Sequence, residues 1–99
     1  MTYTQLKDEI QTAYIELSYI SRWERIMMWH LIGSSLLNNE KTILGKLDRL
    51  ADELGLDLDD LEYAIIFADK YPDLKRFNHD KTVNWHTIKE SLYEENPFD

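Results

Sequence analysis

Residues 47–71 read LDRLADELGLDLDDLEYAIIFADKY, and this run sets the expected architecture. Leu47, Leu50, Ala51 and Leu54 recur at helical spacing and mark one apolar face. Gly55 follows at once, where a helix ends on a residue free to take positive φ. Leu56 carries the apolar face through the corner. Asp57 stands where an N-cap accepts hydrogen bonds from free backbone N–H groups, and Asp60 where a capping-box acid stands. Leu61, Ala64, Ile65 and Ala68 then form a second apolar face, and Pro72 stops the run. A small residue at Ala51, a corner at Gly55 and apolar residues at Leu56, Leu61 and Ala64 give the spacing of a helix-turn-helix over residues 41–71.

Upstream, Asn39 is a candidate cap, and Ile43, Leu44 and Leu47 extend the first helix of the pair back to about residue 41. Residues 1–38 hold no proline. Leu6, Ile10, Ala13, Tyr14, Leu17 and Ile20, then Trp23, Ile26, Met27, Leu31, Ile32 and Leu36, recur at spacings of three and four. This predicts one long helix, or two with a break near Ser21. A single helix of 36 residues would span about 54 Å, too long for so small a domain. Either it bends back, or part of it projects and packs on a second copy. Trp23, Met27, Met28 and Trp29 make its middle apolar nearly all round, the pattern of a core spine or of an adaptable binding or dimer surface.

Downstream of Pro72 the pattern weakens. Residues 72–84 read as a wing-like loop with a β-like patch at Thr82-Val83. Asn84 caps a C-terminal helix over 85–94 that carries Trp85, Ile88, Ser91 and Leu92 on one face, and 95–99 form a loose tail. The expectation is a single all-α domain, 1–99, with at most a minimal β wing.

The chain has 43% hydrophobic residues, enough for a core, and no cysteine, hence no disulfide framework or thiolate chemistry. It lacks an apolar run long enough to span a bilayer and an N-terminal stretch like a signal peptide, so a cytoplasmic protein without membrane contact is expected. Net charge is −8. Residues 39–76 alone carry six basic and ten acidic groups. Affinity for a nucleic-acid duplex comes largely from neutralising phosphates, so this balance disfavours autonomous DNA binding.

Little points to catalysis. Ser34 and Ser35 lack the glycine-flanked elbow of a hydrolase nucleophile, and the three glycines stand apart at 33, 45 and 55 without forming a phosphate loop. His30 sits inside the apolar helix. His79 and His86 flank the β-like patch and could meet beside Asp80, but their spacing matches no tight zinc pattern. Asp57, Asp59, Asp60 and Glu62 cluster at a helix start, where the helix dipole alone favours acids. A non-enzyme without metal or cofactor is expected.

Four segments over about 70 residues carry a family resemblance. Trp29-His30-Leu31-Ile32-Gly33 resembles an aromatic-x-x-Ile-Gly element near the end of a first long helix. Residues 43–54, ILGKLDRLADEL, resemble a Gly-Lys-x-Ile-x-x-Leu-Ala-x-x-Leu helix. Residues 61–73, LEYAIIFADKYPD, are similar to an element ending in Phe-(Ala/Arg)-x-x-(Tyr/Trp)-Pro-Asp. Residues 83–88, VNWHTI, resemble Leu-Ser-Trp-His-x-(Ile/Val). Together they resemble the winged-helix-like N-terminal domain that precedes a PD-(D/E)XK nuclease domain in a group of bacterial proteins. Short stand-alone versions of it occur on phages and mobile elements. The resemblance implies a helical, winged-helix-like fold serving DNA binding or assembly. These 99 residues hold no counterpart of the nuclease domain, so no cleavage activity carries over. Family members tend to show Ser, Arg or Thr at the start of the second helix, where this chain has Asp57, Asp59, Asp60 and Glu62.

Two functional expectations follow. In the first, the protein is a non-catalytic binding protein whose acidic face (Asp57, Asp59, Asp60, Glu62) or apolar helix (Trp23, Met27, Met28, Trp29) engages a protein of nucleic-acid machinery. One concrete form is a phage-encoded, anti-defence DNA mimic acting on a nuclease or defence complex. In the second, it is a DNA-binding regulator, dimeric through its N-terminal helix, that contacts phosphates with Lys41, Lys46, Arg49, Lys75, Arg76, Lys81 and Lys89.

Overall fold

In a computed structural model the described residues are 2–17, 22–77 and 83–93. They form α1 (Tyr3–Leu17), α2 (Arg22–Leu37), α3 (Glu40–Ile43), α4 (Leu47–Leu54), α5 (Leu58–Lys70), a 3₁₀ turn (Leu74–Arg76) and α6 (Trp85–Ser91). No strand occurs among the described residues, so the all-α expectation holds. Among its described residues the wing-like loop holds the 3₁₀ turn and the extended Asn84; Thr82 lies outside them.

The N-terminal third is two helices, not one rod. Thr2 starts α1 with a reciprocal cap: its N–H donates to Gln5 Oε1 (2.9 Å) and its hydroxyl accepts from the Gln5 N–H (3.2 Å). The expected break at Ser21 falls in 18–21, outside the described residues. The helices then pack on each other within a molecule of 36 × 30 × 22 Å. Leu6 and Ile10 of α1 are fully buried in the chain's own core. A projecting helix that needs a second copy is therefore not what forms, because folding back buries the same apolar face internally.

α2 and α5 are the centre. Ile26, Trp29, Ile32 and Leu36 on α2 meet Leu61, Ala64 and Phe67 on α5. The two helices cross closely at Gly33. A Cβ there would lie 1.9 Å from the Ala64 carbonyl oxygen and 3.1 Å from the Ala68 Cβ, so only glycine fits. The small residue that permits a close crossing is thus Gly33, facing Ala64 and Ala68, more than Ala51. Phe67 is the aromatic hub. Edge-on to it lie His30 (5.4 Å) and Phe77 (5.2 Å), with Tyr71 and Trp85 tilted beside it; Trp29 stacks on Trp85 at 5.2 Å. His30 Nε2 lies 2.6 Å from the Tyr71 carbonyl oxygen, which only accepts, so Nε2 carries the proton and closes the end of α5.

The corner between α4 and α5 follows the sequence reading. Gly55 has φ 69°, the Leu56 N–H bonds to Ala51 O (2.9 Å) and the Gly55 N–H to Asp52 O (3.2 Å), a Schellman end. Other local expectations are corrected. The helix expected over 41–54 breaks after Ile43. Leu44 (φ −56°, ψ 118°) and Gly45 (φ 72°) are the central residues of a type II turn closed by Lys46 N–H to Ile43 O at 2.8 Å. Asn39 caps nothing with its side chain, which instead donates to Ser35 O. Asp57 occupies the N-cap position without a side-chain capping bond, and Asp60 is drawn away to α6. Asn84 does cap α6, in a full capping box with Thr87.

A candidate acidic binding groove

Trp85 and Lys89 stand one helical turn apart on α6, so both reach α5. They converge on one atom: Asp60 Oδ1 accepts from Trp85 Nε1 (3.0 Å) and from Lys89 Nζ (2.6 Å). Lys89 also lies 3.7 Å from the Asp59 carboxylate. Burial pulls the Lys89 ammonium down, but Asp60 and then Asp59 more than offset it, and its pKa ends above the ordinary value. This lock fixes α6 against the N-terminal half of α5.

An open groove of about 340 Å³ lies along that junction. Asp59 and Glu62 line it from α5, and His86, Lys89 and Glu90 from α6. Tyr63 forms buried wall, and Tyr93, 63% exposed, stands at the edge. Its three carboxylates outnumber its one lysine, and His86 Nε2 sits 3.0 Å from Glu90. Such a lining can hold a cationic side chain by charge and by the face of Tyr93.

The four acids expected on one face are therefore divided. Asp59 and Glu62 line the groove, Asp57 is exposed at the helix start, and Asp60 is a structural anchor with an 18% exposed side chain. The groove also takes in His86, which the sequence reading paired with His79, and Glu90 and Tyr93, which it did not select. The i,i+4 pair His86–Glu90 was visible in the sequence; Tyr93 was assigned to the far end of the helix without a role.

The apolar candidates separate too. Trp29 is 4% exposed and belongs to the core, so it cannot be a surface contact; Trp23 and Met28 are half-buried against that core. Only Met27, with Leu31 one turn on, is exposed.

Among the described residues the basic candidates are scattered over different elements. Arg49 pairs with Glu53 (2.6 Å) and lies over the Tyr3 ring, as Lys46 does. Arg76 faces Asp73 at 3.7 Å, and Lys89 is held by Asp60. Lys41 is exposed on α3. The Lys75 side chain and Lys81 lie outside the described part, as do His79 and Asp80, so their meeting with His86 is not described. Above all, residues 60–68 of α5 are all buried or half-buried. The helix that would read a major groove has no free face along its middle.

Among the described residues no three His, Asp or Glu side chains come together as a metal site, and no helix is long and apolar enough to cross a membrane. Fold and groove together define an all-α protein presenting an acidic, aromatic-edged surface. Comparison of the chain with known protein families, curated proteins and solved structures gave no match.

Proposed function

We propose that this is a non-catalytic cytoplasmic binding protein whose acidic surface, centred on the α5–α6 groove, engages a basic segment of a nucleic-acid-processing protein. The observation that carries this reading is the groove itself: Asp59, Glu62 and Glu90 beside an exposed Tyr93, in a chain of net charge −8. A surface of this kind occupies a DNA-binding groove in place of phosphates, through charge complementarity. The resemblance to the winged-helix-like domain of the PD-(D/E)XK nuclease family supports the same class of partner, a nuclease or defence complex met by a phage or mobile-element inhibitor. Burial of α5 weighs against the DNA-binding regulator, because a recognition helix must offer a face to the bases.

A salt titration tests the choice. The protein is expected to bind no duplex DNA below about micromolar at ~0.15 M salt, whereas DNA affinity that falls steeply with salt establishes the regulator instead. Charge reversal by Asp59→Lys with Glu90→Lys is expected to abolish binding to a basic partner while leaving the helical circular-dichroism signal intact.

A further inference from the structure

The wall of the α5–α6 groove holds a hydroxyl that the fold does not use. Tyr63 lines the groove and is only 6% exposed. Among the described residues its hydroxyl has no hydrogen-bond partner, yet it is not sealed from solvent as the Tyr3 hydroxyl is. A phenol on so buried a ring ordinarily finds a partner, and this one is left for a partner from outside. The rest of the lining says what that partner carries. Asp59 and Glu62 stand one turn apart on α5, and Glu90 enters from α6, so carboxylates flank the groove from both helices. The groove's own ammonium, on Lys89, is held by Asp60 at 2.6 Å and reaches Asp59 only at 3.7 Å. The exposed Tyr93 adds an aromatic face at the edge.

We propose that the groove receives an arginine side chain of the partner, in preference to a lysine. The proposal rests on the reading of the groove as a site for a basic segment and adds which side chain enters it. A guanidinium is flat and carries five N–H donors that point in several directions of one plane. It can therefore donate to carboxylates on both sides of the groove and to the Tyr63 oxygen at once, while its face lies on the Tyr93 ring. A lysine ammonium has three donors, is more strongly hydrated and has no plane to stack. It would gain the charge attraction but not the tyrosine contacts.

Hexa-arginine and hexa-lysine peptides, equal in charge, test it in NMR titrations of the full chain at ~0.15 M salt. The expected result is binding of both, with shifts centred on Asp59, Glu62, Tyr63, Glu90 and Tyr93, and an affinity about 5-fold or more higher for arginine. Tyr63→Phe keeps the buried ring and removes only the hydroxyl. It is expected to weaken the arginine peptide about 5-fold and to leave the lysine peptide nearly unchanged. Tyr93→Leu is expected to weaken the arginine peptide roughly 3-fold, again with little effect on lysine. Equal affinities of the parent protein for the two peptides overturn the arginine preference and leave the basic-segment reading standing. An arginine preference that survives in both tyrosine variants also overturns the proposal. If neither peptide binds at the groove, the basic-segment reading falls and this proposal falls with it.

Discussion

Gly33 has no side chain because the Ala64 carbonyl occupies the place one would need. A methyl group there forces α2 and α5 apart and loosens every contact between them. Gly33→Ala is therefore expected to cost about 3 kcal/mol, on the order of 15 °C in melting temperature for a domain of this size. Gly45→Ala and Gly55→Ala face open space but positive φ, and each is expected to cost about 1 kcal/mol. Thermal denaturation of the three variants checks the order; equal losses would refute the tight crossing. The sequence made Gly55 readable, because a glycine directly after a periodic apolar run is a helix end. Gly33 and Gly45 were less readable. A glycine inside a helical pattern does not say which helix crosses over it, and Gly45 interrupts an apolar period that continues on both sides. Leu44 was misplaced for that reason: its spacing fits the buried face, but the turn carries it outward.

Between elements, the Trp85–Asp60–Lys89 lock holds α6 to α5. Asp60→Ala strands the Trp85 indole N–H and leaves the Lys89 ammonium only the longer Asp59 contact, and is expected to cost about 2 kcal/mol in chemical denaturation. Asp60→Asn should cost less, because it keeps an acceptor. Coupling between Asp60→Ala and Lys89→Met in a double-mutant cycle is expected to be about 1 kcal/mol; no coupling would show that the pair does not hold the helices. The same lock has a pH signature. The folded pKa of Lys89 is raised, so its contribution is complete below the ordinary lysine value and is lost as pH rises through the folded one. The Tyr3 phenol is also raised, by burial and then by the Glu53 carboxylate, which lies close without hydrogen-bond geometry. Both act in the same sense, so the melting temperature should fall from about pH 10 upward, and less steeply in Lys89→Met. At the other end, hydrogen bonds from Lys7 and Arg49 hold Glu53 below the usual carboxylate range. Its contribution is present at neutral pH and is lost as pH falls through that lowered value, and Glu53→Gln should flatten this acid limb. These ties between distant elements left no mark in the sequence. The burial of α5 did: residues 63–68, YAIIFA, are apolar without a break, the mark of a helix covered on all sides. The spacing of Ala51, Gly55 and Leu61 drew attention to a helix-turn-helix corner. That corner exists, but local spacing carries no information on what α2 and α6 cover.

At the scale of the molecule, two surfaces differ in character. The α5–α6 groove is acidic and edged by Tyr93, and a second groove, beside Leu44, is apolar apart from Glu40. Net acidity was plain from composition, but composition does not gather charge. Asp59, Glu62 and Glu90 share a groove only because α6 docks on the first turns of α5. The central claim is that this groove takes basic side chains. Chemical-shift mapping of the labelled protein with an arginine-rich peptide, at ~0.15 M salt, tests it most directly. Perturbations that cluster at Asp59, Glu62, His86, Glu90 and Tyr93, and vanish in the Asp59→Lys, Glu90→Lys variant, are the predicted result. Perturbations spread evenly over the surface, or unchanged by that charge reversal, would contradict the claim.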